Sequence, residues 1–137
     1  MSKEDIFEVL PSNYRHEKIF LSKENLNNWE ILSKLTDSNL NKIIHYYPLC
    51  TESRLRKIRA IANLIIKLDI TPAQAYILLH SGISTLKTLS MQNPHGLEKK
   101  IGRLQRKLNV KVVSYIDYQL LNEWINKAKV LIKVDLS

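Results

Sequence analysis

The chain has 137 residues, 45% of them apolar, with 21 Lys and Arg against 13 Asp and Glu and a formal net charge of +8. That length suits one domain with a genuine core, while three glycines and four prolines are too few for a turn-rich β-sandwich or a disordered linker. The opening MSKEDIFEVLP has no apolar run of signal-peptide length, no stretch of about 18 apolar residues offers a membrane span, and the one cysteine, Cys50, cannot form an internal disulfide, so a soluble cytoplasmic protein is expected.

Apolar residues at helical spacing and capping signals predict helices over 3–9, 14–23, 27–34, 38–46, 52–68, 72–81, 85–91, 94–108 and 118–132, with only Val110 to Ile116 extended. Cys50, before the fifth helix, reads as a small buried apolar residue. In that helix Leu55, Ile58, Ile61, Ile65 and Leu68 form one face, and Arg56, Arg59, Asn63 and Lys67 the opposite one. Thr71 is an N-cap, Pro72 sits at the first helical position and Gln74 completes a capping box. Gly82 supplies a left-handed residue after Ser81, and Thr85 and Asn93 start the next two helices. From Pro94, Leu97, Ile101, Leu104 and Leu108 form an apolar stripe. In the last helix Trp124 joins Leu121, Ile125, Ala128 and Leu131, and Trp29 is likewise assigned to packing.

A shift of 57 positions superimposes Leu21 on Leu78, Leu26 on Ile83, Trp29 on Leu86, Leu32 on Leu89, Leu40 on Leu97 and Ile44 on Ile101. It also brings Asn25 onto Gly82, the two residue types that best tolerate a left-handed helix end. After a nine-residue insertion, NVKVVSYID, Leu55 falls on Leu121, Ile58 on Trp124 and Ala62 on Ala128. The expected architecture is an all-α bundle of two degenerate copies of one helical unit, about 11–68 and 69–132, sharing one core.

The run LDITPAQAYILLHSGISTLKTL, from Leu68 to Leu89, resembles a helix-hairpin-helix unit. Extended through LSMQNPHGLEKKI to LLNEWINKAKVL, it resembles a family of uncharacterised bacterial domains, found in photosynthetic lineages among others, that are helix-hairpin-helix-like and of unknown function. The resemblance implies the fold and leaves the activity open. In nucleic-acid-binding members of the class, turn glycines let backbone N–H groups approach a phosphate. Asp69 and Thr71 occupy those positions here, and the equivalent turn of the first copy is Pro11 to Tyr14, again without glycine. A Cβ and a carboxylate both oppose phosphate binding, so the hairpins read as retained frames.

Charge placement carries the functional expectation. The total alone is a poor guide, because an A/T-rich codon bias also enriches Lys, Asn and Ile. Lys99, Lys100, Arg103, Arg106 and Lys107 lie within an arc of about 120° opposite the Leu97 stripe, with Glu98 the nearby acid. Arg54, Arg56 and Lys57 crowd the first turns of the Glu52 helix, followed by Arg59. Cations there oppose the helix dipole and ask for an anion, a phosphate or a partner's acidic residue, unless Glu52 meets part of that need. Tyr46, Tyr47 and Tyr76 are either base-stacking groups or partly buried hydrophobes. His16, His45, His80 and His95 show no metal-ligand spacing with one another or with Cys50, and no catalytic or nucleotide-loop motif occurs. The expectation is a binding module without metal, cofactor or enzymatic activity. Its partner is nucleic acid, bound through the basic faces without sequence preference. The alternative is an acidic protein partner, with the hairpins serving as structure only.

Overall fold

Most helices begin on a side chain that accepts from the free N–H groups of the first turn. Asn28 Oδ1 accepts from the Ile31 N–H at 3.2 Å and Thr85 Oγ1 from the Thr88 N–H at 3.1 Å. Thr36 and Asn39 form a reciprocal capping box, as do Thr71 and Gln74. Thr51 accepts from the Arg54 N–H, Asn93 from those of His95 and Gly96, and Asp117 from that of Leu120. Each cap is worth about 1 kcal/mol. The computed structural model, which describes residues 6–108 and 115–136, then runs α1 (Arg15–Lys23), α2 (Trp29–Ser33), α3 (Asp37–Tyr46), α4 (Glu52–Leu68), α5 (Pro72–His80), α6 (Leu86–Ser90), α7 (Pro94–Leu108) and α8 (Tyr118–Leu136). A single 3-10 turn, Ser12–Tyr14, leads into α1, and no strand occurs among the described residues.

The expected helix over 3–9 is not seen in its described part. Residues 6–9 form turns, closed by the Leu10 N–H donating to Phe7 O at 2.9 Å. Phe7 and Leu10 are buried, so local packing holds this segment short of Pro11. The expected extended run lies mostly outside the described residues. Its end, Tyr115 and Ile116, is irregular, with Ile116 buried.

Sharp corners join the helices. Asn25, Asp69 and Gly82 all take left-handed backbone conformations, at φ 58°, 57° and 88°. After Asn25 the Leu26 N–H returns to Leu21 O at 2.7 Å, and after Gly82 the Ile83 N–H returns to Leu78 O at 3.0 Å. Other bonds also recur 57 residues apart: Ser33 Oγ donates to Glu30 O and Ser90 Oγ to Lys87 O, and the caps Asn28 and Thr85 keep the same offset.

Helix α4 packs against α2, α3, α5 and α8, while α8 also covers α6 and α7. Ala62 and Leu64 are fully buried beside Leu55, Ile58, Ile61 and Leu68, whereas Ile65 is half-buried. The apolar face of α4 is therefore broader than the single stripe expected. Trp124 is buried, and Trp29 is half-buried with its ring edge-on to Phe7.

Asp69 sits where glycine would carry no steric penalty, and its side chain is exposed. Replacing it with Gly should raise stability in urea unfolding by about 0.5–1 kcal/mol, the relief of left-handed strain less the extra entropy of the unfolded glycine.

Candidate nucleic-acid interface

The N-terminus of α5, where the hairpin would hold a phosphate, is closed by its own side chains. The Thr71 N–H donates to Gln74 Oε1 at 3.0 Å and the Gln74 N–H to Thr71 Oγ1 at 3.1 Å, and Pro72 has no N–H to offer.

The start of α4 is also supplied from within the chain. Glu17, on α1, is fully buried and its Oε2 accepts the Thr51 N–H at 2.8 Å. Its Oε1 has no hydrogen-bond partner among the described residues. Glu52 pairs with Arg56, Oε1 to Nη2 at 2.7 Å. Glu17 thus places an acid on the first N–H of the α4 start and Glu52 pairs with Arg56, while Arg54 is half-buried near Tyr14.

Arg56, Lys57 and Arg59 instead border an open groove of about 960 Å³. Its walls include Ser33 and Leu35 at the end of α2, and Leu79, Ser84 and Thr85 around the α5–α6 corner. The two arginines share one counter-ion: Asp37 Oδ1 lies 2.9 Å from Arg59 Nη1 and 3.7 Å from Arg56 Nη1. Arg59 Nη1 also donates to Leu35 O at 3.1 Å. The hydrogen bond from Arg59, reinforced by the charges of Arg56 and Arg59, holds the Asp37 carboxyl below its usual range.

Helix α7 presents a different electrostatic state. Leu97 and Ile101 are buried and Leu104 is half-buried, while Lys99, Lys100, Arg103, Arg106 and Lys107 are all exposed. None of the five forms an ion pair among the described residues. Glu98 turns away to α8, where its Oε2 accepts the Tyr118 N–H at 2.7 Å and the Tyr115 hydroxyl at 3.2 Å.

Both cationic surfaces border the α5–α6 corner. Lys100 Nζ stands 3.8 Å from the position a Cβ would take on Gly82. On the other side, His80 has its pKa lowered first by desolvation and then by the nearby Lys57 charge. Of the tyrosines considered as base-stacking groups, Tyr76 is buried, whereas Tyr46 is 74% exposed and Tyr47 donates its hydroxyl to Glu24. Among the described residues no group of three or more His, Cys, Asp or Glu could hold a metal ion, and no helix is long and apolar enough to cross a membrane. The Cys50 thiol is buried, donates to His16 O, and is pushed up to about 11 by burial and then by the Glu17 charge.

Sequence reasoning gave no role to Glu17, Asp37 or Leu35. Their partners lie 34 residues away for Glu17 and 24 for Leu35, beyond the reach of any local motif. Glu17→Ala should leave the partly buried Thr51 N–H without its acceptor and lower stability in urea unfolding by about 1–3 kcal/mol.

No curated protein and no solved structure matches the chain. The family described as a domain of unknown function, DUF4332, matches residues 11–131, nearly the whole of the helical array above, and the chain belongs to that family.

Proposed function

We propose that this protein is a non-enzymatic binding module that holds nucleic acid by its phosphates, without sequence preference, through the cationic face of α7. The observation that carries the reading is the exposure of Lys99, Lys100, Arg103, Arg106 and Lys107 with no carboxylate partner among the described residues. The diversion of Glu98 to α8 preserves that charge. The common border of this face and of the α4 groove at the α5–α6 corner also favours an extended polyanion over a small ligand. The second hairpin takes no part, since its Thr71 and Gln74 N–H groups are used internally.

The helical array is read as two degenerate helix-hairpin-helix-like copies. The offset of 57 residues shared by the caps Asn28 and Thr85 and the left-handed Asn25 and Gly82 supports this. In the second copy cations stand where the first has apolar groups: Arg103 and Arg106 correspond to Tyr46 and Leu49. Tyr46 and Leu49 are 74% and 67% exposed. They favour the second reading, a protein-interaction module, should nucleic acid fail to bind. A buried lone thiol, Cys50, suits the reducing cytoplasm.

Fluorescence anisotropy with labelled DNA and RNA tests the proposal. Changing Lys99, Arg103 and Arg106 together to Ala should weaken binding similarly across sequences. The log–log salt slope should flatten by about two or three units, at about 0.9 per phosphate on duplex and 0.7 on single strands. The three side chains are exposed, so the fold should survive. A wild-type protein that associates with neither polymer at low salt would overturn the proposal and promote the protein-interaction reading.

A further inference from the structure

The α4 groove holds three cations, Arg56, Lys57 and Arg59, yet two of them are already engaged. Asp37 Oδ1 contacts both guanidinium groups, Glu52 holds Arg56 a second time through Nη2 and Nε, and Leu35 O takes a further bond from Arg59. An arginine fork so occupied has little to give a phosphate until its carboxylate lets go. Asp37 itself is well placed for release. Its side chain is 65% exposed, it lies at the first turn of α3, and the Thr36–Asn39 capping box of that helix needs nothing from it. Arg59 is only 22% exposed and is fixed by Leu35, so when Asp37 swings away the guanidinium stays at the groove.

We infer that Asp37 is an internal competitor for the anion site of the groove: its carboxylate occupies Arg56 and Arg59 in place of a phosphodiester and thereby sets how much of the basic surface is open to nucleic acid. This rests on the reading of α7 as the primary contact and adds a second, guarded contact beyond the α5–α6 corner. Asp37 makes this a specificity-determining position. A polyanion long enough to reach from α7 to α4 can compete with it locally, whereas a short anion has no such advantage.

The test measures binding of a fluorescein-labelled DNA duplex long enough to reach from α7 to α4 to wild type, Asp37→Asn, and the charge-matched control Glu123→Gln on the exposed face of α8. Arg59→Ala is made in the wild-type and Asp37→Asn backgrounds. Asp37→Asn should bind about three- to tenfold more tightly than the control near 0.1 M salt, with a slope steeper by about one or two contacts at 0.9 each. Arg59→Ala should cancel that gain while changing wild-type affinity little. Asp37→Ser serves as a second variant, and urea unfolding checks that each chain is folded. If Asp37→Asn binds no better than Glu123→Gln, or if Arg59→Ala has the same effect in both backgrounds, the inference is overturned while the α7 reading stands. If neither wild type nor Asp37→Asn binds, both fall together.

Discussion

The fold depends on how α4 is held at its two ends. At the first, Glu17 reaches from α1 to the Thr51 N–H. At the second, Lys127 Nζ reaches from α8 to Leu68 O at 3.2 Å. An acid at the start and a cation at the end both match the helix dipole. The two side chains come from opposite parts of the chain, so one helix ties the early elements to the late ones. Burying Glu17 carries a desolvation cost, and an orphaned Oε1 raises it. The compensation is apolar: Leu55, Ile58, Ile61 and Leu64 are almost completely buried on the same helix, each worth about 1.5–3 kcal/mol.

The fixed helix explains why two sets of cations of similar composition behave differently. On α4 the arginines sit where α2 and α3 come close, and the first residue of α3, Asp37, meets them. On α7 the neighbouring elements are α5 and α8, and Glu98, the acid that sequence proximity suggests as a partner, is needed at the first residue of α8. The charges of Arg56 and Arg59 on α4 are therefore balanced at short range, where salt screens them little. Charge on α7 faces solvent and is open to screening.

Features governed by neighbours three or four residues apart were legible in the sequence. Thr71, Gln74, Thr85 and Asn93 act on the N–H groups just after them, and Gly82 takes the corner its chemistry favours. The exposure of the α7 cations follows from the helical period opposite Leu97 and Ile101. Less legible was whatever depends on a distant element. The wide burial of α4 comes from four helices packing around it, and the single stripe through Leu55, Ile58, Ile61, Ile65 and Leu68 leaves out Ala62 and Leu64, which only those neighbours on several sides bury. The pairing of Arg56 and Arg59 with Asp37 needs the α3–α4 contact to exist first. The turns at residues 6–9 arose where Phe7 and Leu10 had a core to bury into, a reason that capping and spacing rules do not contain.

Cys50 lies at the junction of α1 and α4, with its sulfur against His16 O and the Glu17 acid nearby. With its pKa near 11, only about one thiol in a thousand is ionised at pH 8, and burial shields even that fraction from reagents. As the chain's only cysteine, it amounts to a built-in kinetic reporter. The rate at which a thiol probe adds to it reads how often the junction between the first helix and the central one breathes, with no label placed on either charged surface.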